Sequence, residues 1–198
     1  MWDFVALKAD IASRMSSARY SHTCGVASVA KMLAERLCPE LIDETVAAAL
    51  LHDIAKELPF DHQVELAKMS NLPIAEEDLD IVPAFHAVSA IAVIKNDYPQ
   101  YATEAVLAAV RNHCVGDPKM SLIDKIVYVS DFIEPGRKYS ESIRIRDFLI
   151  DDLDDIDLRK LDEAVLMTAE STVRHLESNG NRVHSKTKAM IENMKIKR

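Results

Sequence analysis

Apolar residues recur at intervals of three and four along most of this 198-residue chain, in runs separated by proline, glycine or acidic clusters. Val26, Val29, Ala30, Leu33 and Leu37 predict a helix that "CPE" at 38–40 ends. Val46, Ala47, Leu50, Leu51, Ile54 and Leu58 follow. That stretch is apolar round most of its circumference and predicts a central helix from about Asp43 to Pro59. "FDHQVELAKM" predicts a short helix, succeeded by an acidic loop with Pro73 and Pro83. "AFHAVSAIAVIKNDY" predicts a helix ending before Pro99, and "ATEAVLAAVRNHCVG" one capped near Thr103 and stopped by Gly116.

The run Ile126 to Val129 suits a strand as well as a helix, but Ser121 and Asp124 make a capping-box start and helices flank the segment on both sides. The stretch "MSLIDKIVYVSDFIEPGR" is therefore read as helix. "DDLDDIDL" reads as a turn or solvated face, "LRKLDEAVLMTAESTVRHLESNG" as a long helix stopped by Asn179 and Gly180, and "SKTKAMIENMKIKR" as a basic terminal helix or tail. No internal repeat interrupts the series. The expected fold is all-α, a compact multi-helix bundle.

Composition agrees, since only 4 residues are glycine and the strong helix formers alanine and leucine are among the commonest. A formal net charge of -8 and a pI of about 5.4 argue against a nucleic-acid partner. Charges in "MWDFVALKAD" come too early for a secretory core, and no run approaches the roughly 18 apolar residues of a membrane span. A soluble, cytoplasmic protein with no membrane partner is expected. Cys24, Cys38 and Cys114 form no CxxC pair, which suits a reducing compartment, and they read mainly as small apolar fillers, although Cys24 and Cys114 lie close to candidate ligands and could bind a soft metal.

Against this background certain polar residues are out of place. His52 and Asp53 sit in "ALLHDIAKEL"; His22, His86, His113 and Asp131 are likewise set among apolar residues. An unpaired buried carboxylate costs several kcal/mol, so Asp53 and Asp131 need a cation or several donors. Four imidazoles and two carboxylates make a mixed nitrogen and oxygen site suited to iron, manganese, cobalt or zinc. Lys56, four residues after His52 and three after Asp53, is placed to meet an anion resting on that site. A lone histidine on an apolar face is usually a core residue, but six such residues together reverse that judgement. His62, His175 and His184 lack the setting and read as surface or capping residues. Of Arg19, Arg111 and Arg137, Arg111 is the weakest phosphate candidate.

The order His22, His52-Asp53, His86, His113, Asp131 resembles that of the HD-domain metal-dependent phosphohydrolases. The text "RYSHTCGV", "ALLHDIAKELP" and "AVRNHCVGDPKMSLIDKIVYVSDFIEPGR" is similar to the YqeK-type symmetrical bis(5'-nucleosyl)-tetraphosphatases, over roughly residues 15 to 175. The chain departs from that pattern at Cys114 and Val115, where two threonines are usual, and at Ser130, where alanine is usual. The resemblance implies one HD domain over residues 1–198, with a C-terminal helical extension from about 158. It implies hydrolysis of diadenosine tetraphosphate to two ADP at an iron-containing site, in a homodimer. His22, His52, Asp53 and Asp131 would hold the principal metal, and His86 and His113 would hold either a second metal or phosphate. The substrate set would be Arg19, His22, Lys56, His86, His113, Asp131 and Arg137, and the catalytic set Asp53, Asp131 and Lys56. Two alternatives stand beside this: a nucleotidase of the same superfamily acting on nucleoside monophosphates, and a non-catalytic metal protein that senses a nucleotide.

Overall fold

The computed structural model describes residues 2–196; Lys197 and Arg198, the last two positions of the basic C-terminal segment, lie outside the described residues. Eleven α-helices and no strand occur among these residues. They are α1 (Phe4–Arg14), α2 (Ser17–Leu37), α3 (Ile42–Leu51), α4 (Phe60–Met69), α5 (Glu76–Asp80), α6 (His86–Asp97), α7 (Glu104–Asn112), α8 (Leu122–Ile133), α9 (Ser140–Ile150), α10 (Leu158–Ser178) and α11 (Ser185–Ile196). None of these helices is long and apolar enough to cross a membrane.

Local chemistry sets the starts. The hydroxyls of Ser16, Thr103 and Ser121 accept the N–H groups of Arg19, Val106 and Asp124, and the Asp157 carboxylate accepts that of Lys160. The Ser121–Asp124 capping box forms as expected and settles α8 as helix. The expectation of a central helix also holds: every residue of α3 from Thr45 to Leu51 is buried. It packs against α2, α7 and α8, where Ala30, Leu33, Val110, Ile126, Val129 and Ile133 are fully enclosed. Alanines at 47, 48 and 49 leave no side-chain bulk to hold these neighbours apart.

The helix does not run to Pro59, however. From His52 the backbone bonds shorten to three-residue spacing, Ile54 to Leu51, Lys56 to Asp53 and Leu58 to Ala55. In such turns residues three apart fall on one side, which puts Lys56 on the side of the turn that carries Asp53. The acidic loop also contains the single turn α5, whose Asp78 is pinned by Arg111 at 2.9 Å. Two helices, α1 and α9, have no counterpart in the sequence reading. Each turns only a short apolar stripe inward, Leu7 with Ile11 and Ile145 with Leu149. That is too little pattern to stand out among their charges.

The C-terminal helices return to the centre. Helix α10 packs on α8 and α9, and α11 packs on α10 and on the turn after α7. The Thr187 hydroxyl donates to the Val115 carbonyl at 2.7 Å, the Asn193 amide to Pro118 at 2.5 Å, and Lys186 pairs with Asp117 at 2.9 Å. His184 is buried and accepts the Lys186 N–H through Nδ1, so it caps α11 as expected but is not at the surface. Gly116 lies under Met190: a Cβ there would meet Met190 Sδ at 2.4 Å, and its φ of +70° is already left-handed. Helix α11 therefore holds the turn that carries His113 and Cys114.

Gly180 has the same backbone, φ +69°, with open space around its Cβ position, and supplies a control. Gly180→Ala should cost about 1–2 kcal/mol for the left-handed conformation. Gly116→Ala should cost about 1–3 kcal/mol more, for crowding Met190. Urea unfolding of the two variants checks this, and equal losses would mean that α11 does not clamp the turn.

Candidate metal centre

The six singled-out residues converge. His22 comes from α2, His52 and Asp53 from the turn closing α3, His86 from the start of α6, His113 from the turn after α7, and Asp131 from α8. His52, His86 and His113 are buried to within a few per cent, as is Asp53. Imidazole centroids are 5.5 Å apart for His22 and His52, 4.9 Å for His52 and His113, and 5.1 Å for His86 and His113.

Asp53 divides the set. Its Oδ2 faces His52 Nε2 at 3.5 Å and His22 Nε2 at 3.7 Å, while Oδ1 faces His86 Nε2 at 3.0 Å and His113 Nε2 at 3.7 Å. One carboxylate thus presents one oxygen to each pair of histidines. Asp131 joins the first pair, with Oδ1 at 3.0 Å from His22 Nε2 and 3.9 Å from His52 Nε2.

Backbone geometry fixes which ring nitrogen carries the proton. Nδ1 of His52 donates to the Ala49 carbonyl at 2.7 Å and Nδ1 of His113 to Val110 at 2.7 Å, so in the neutral rings both Nε2 atoms turn lone pairs inward. His22 Nδ1 meets Glu134 Oε1 at 3.2 Å, the carboxylate–histidine arrangement that orients metal-ligating imidazoles. The buried Nε2 atoms of His22 and His52 have no hydrogen-bond partner. Two orphaned imidazole lone pairs between two carboxylates are costly as they stand and fit a cation.

Charge tells the same story. Burial pushes the Asp53 carboxyl up, but His52, His113 and His86 more than reverse this and hold it well below the usual range. Burial also pushes the half-buried Asp131 carboxyl up, and His22 and His52 hold it low in the same way. Burial works against a charged His113, which the adjacent Cys114 thiol and Asp53 nevertheless raise well above the usual histidine value. The same contact with His113 and His86 brings the Cys114 thiol well down, against the effect of burial. Without a cation, protons alone must balance this negative cluster.

The basic residues take unequal places. Arg19 Nη1 pairs with Asp53 Oδ2 at 2.6 Å, and Arg137 Nη2 with Asp131 Oδ1 at 2.8 Å. Lys56 Nζ lies against the Pro83 carbonyl at 3.0 Å and beside the His86 ring, 3.1 Å from Nδ1 and 3.5 Å from Nε2. Arg111 serves Asp78 instead. Arg19, His22, Glu134 and Arg137 line a cleft of about 400 Å³; His113, Cys114 and Asp131 line another of about 520 Å³, walled beyond by Thr172, Asn181 and Arg182.

Of two further participants, one escapes the sequence reading and the other is weighed there as a soft-metal ligand but read as core filling. Glu134 sits in a cradle of two glycines: a Cβ on Gly25 would lie 2.7 Å from its Oε2, one on Gly136 2.8 Å away, and the Gly136 N–H donates to it at 2.5 Å. The available signal was Gly25 itself, a helix-interior glycine that costs about 0.5–1 kcal/mol and so needs a reason. Cys114 is the other. It is no apolar filler, since its Sγ lies 3.1 Å from His113 Nε2 and 3.3 Å from His86 Nε2. Its position next to His113 was the clue.

A family model described as HD domain matches residues 19–158. A symmetrical bis(5'-nucleosyl)-tetraphosphatase of Bacillus subtilis is 30% identical over 143 residues, 72% of this chain and 75% of the relative. One of the same description from Halalkalibacterium halodurans is 30% identical over 65% of this chain and 67% of the relative. The crystal structure of a predicted HD superfamily hydrolase involved in NAD metabolism from Clostridium acetobutylicum superposes with a TM-score of 0.86 at 26% identity, across 100% of both chains. The HD domain, with its histidines and aspartates gathered as above, implies divalent-metal binding. By the extent of the domain match and the identity across most of both chains, this chain belongs to the HD-domain family of symmetrical bis(5'-nucleosyl)-tetraphosphatases.

Proposed function

We propose that this chain hydrolyses symmetrical dinucleoside tetraphosphates, diadenosine tetraphosphate first among them, to two nucleoside diphosphates at a divalent-metal site. The observation that carries the reading is the cage itself. Orphaned imidazole lone pairs and buried carboxylates converge at one point, with Arg19 and Arg137 at its rim and two clefts reaching it. We assign His22, His52, Asp53 and Asp131 to the principal ion. Its donors, two carboxylates and two imidazoles, are all hard or borderline with no sulfur, and suit iron, as they do manganese, cobalt and zinc. Residues 158 onward are read as an extension of one HD domain, supported by the packing of α10 and α11 round the His113 turn.

A tetraphosphate chain concentrates negative charge, so its hydrolysis is accelerated mainly by neutralising that charge and aligning a water. The bound ion would supply Lewis-acid charge and acidify water at the site. The protein does the rest. Asp131, whose side chain keeps 23% of its exposure, is the carboxylate that faces incoming water and takes its proton. Asp53, almost wholly enclosed, holds the geometry. Arg19 and Arg137 pair with these carboxylates and stand ready to exchange them for phosphate oxygens, which they can grip in two places at once. Lys56 adds its charge at the His86 edge of the cage. A nucleoside diphosphate leaves as a stabilised anion, so the account needs no strong general acid.

Openness to solvent favours this reading over the nucleotide-sensing alternative, in which protein ligands would close the metal. The relatives favour it over a nucleotidase. With metal-reconstituted protein and diadenosine tetraphosphate, ADP should be the only nucleotide product by chromatography. ATP with AMP would refute symmetrical cleavage, and orthophosphate release would restore the nucleotidase. Glu134→Gln should weaken metal binding by about 10–100-fold with helical content unchanged, as loss of an imidazole-orienting carboxylate does. Competition with a chromophoric chelator measures this, and unaltered affinity would remove Glu134 from the site.

A further inference from the structure

We propose that Cys114 is a thiolate ligand and that, with His86 and His113, it forms a second, sulfur-containing site for a borderline divalent cation such as zinc. The inference rests on the reading of the adjoining cage as a metal centre, and it gives a role to a residue which that reading leaves unused.

Three atoms define the site. His113 Nε2 and His86 Nε2 are 3.1 Å apart, and Cys114 Sγ lies 3.1 Å from the first and 3.3 Å from the second. Tetrahedral zinc with nitrogen at about 2.0–2.1 Å and sulfur at about 2.3 Å spaces its ligand atoms about 3.3–3.6 Å apart. The triangle need open by only a few tenths of an ångström. Asp53 Oδ1, 3.0 Å from His86 Nε2, is the fourth vertex.

The close approach of the two imidazoles is informative in itself. His113 gives Nδ1–H to the Val110 carbonyl, so in the neutral ring its Nε2 has nothing to donate, and both rings are buried. His86 has two arrangements open. Its Nδ1 can donate to the Pro83 carbonyl at 3.0 Å, or accept from Lys56 at 3.1 Å while Nε2–H turns to Asp53. The first leaves two nitrogen lone pairs and a sulfur directed at one point, which the single Cys114 proton can satisfy in part and a metal ion satisfies fully. Lys56, satisfied by the same carbonyl, permits it.

Sulfur changes what this site prefers. Thiolate selects softer and borderline ions over magnesium, calcium or manganese, which suits zinc, cobalt(II) or iron(II). The carboxylate-rich neighbour makes no such selection. Cys114 also lines the cleft of about 520 Å³, so an ion there meets solvent and substrate rather than a sealed core.

Cobalt(II) separates the possibilities, because a thiolate bound to it gives an intense near-ultraviolet charge-transfer band that nitrogen and oxygen ligands do not. Wild-type protein titrated with cobalt(II) should take up two ions per chain and show the band. Cys114→Ser should lose one ion and the band while keeping the other ion. The variant Cys24→Ala/Cys38→Ala, which leaves Cys114 as the sole cysteine, should keep both, and it decides the matter even if Cys114→Ser folds poorly. Two ions without the band would overturn the cysteine assignment and leave the metal reading standing. One ion without the band, with Cys114 equally reactive to a thiol reagent before and after loading, would overturn the second site. No cobalt uptake at all would overturn both readings.

Discussion

Everything at the centre of this molecule is arranged round one buried carboxylate. Asp53 cannot be enclosed cheaply: a charge of that kind removed from water costs several kcal/mol unless it is met by partners of opposite sign or by donors. Its solution is to give one oxygen to His22 and His52, with Arg19 beside them, and the other to His86 and His113. Four separate segments must therefore reach the same few ångströms, and the packing of the bundle is what brings them there. The all-alanine and leucine stretch of α3 lies at the middle of the molecule because the residue it delivers has to be reached from every side.

The periphery follows from the same requirement. Helix α3 ends at His52 in tighter turns, and His52 and Asp53 on those turns both reach the site. Glu134, wedged between two glycines, orients His22; the carbonyls of Ala49 and Val110 orient His52 and His113. Helix α11 looks remote in sequence, yet through Thr187 and Met190 it holds the turn bearing His113 and Cys114. The ends of the chain are thus part of how the site is kept in register.

Much of this was legible in the sequence, for a physical reason. Ionisable residues in apolar helical contexts are expensive, so His22, His52, Asp53, His86, His113 and Asp131 announced themselves, and helices with long apolar stripes did likewise. Where the signal failed, the cost was hidden. Glu134 stands in "DFIEPGR", where proline and glycine make an acid look like an ordinary loop residue, and its burial depends on Gly25 more than a hundred positions away. Cysteine is as much at home in a core as in a ligand set, so the place of Cys114 beside His113 raised a soft-metal role without deciding it. Helices α1 and α9 bury only a short stripe each, and their charged faces masked it. The break after Leu51 is a matter of one hydrogen-bond spacing, which an apolar pattern continuous to Leu58 does not express.

The central claim is that the lone pairs of His22 and His52, with Asp53 and Asp131, hold a cation. Anomalous scattering from a crystal of the metal-loaded protein, collected across the absorption edge of that metal, tests it most directly. The account predicts a peak among His22 Nε2, His52 Nε2, Asp53 Oδ2 and an Asp131 oxygen, with Arg137 moved off Asp131. A loaded crystal whose only anomalous peaks lie away from these four residues, with Arg19 and Arg137 still seated on the carboxylates, would contradict it.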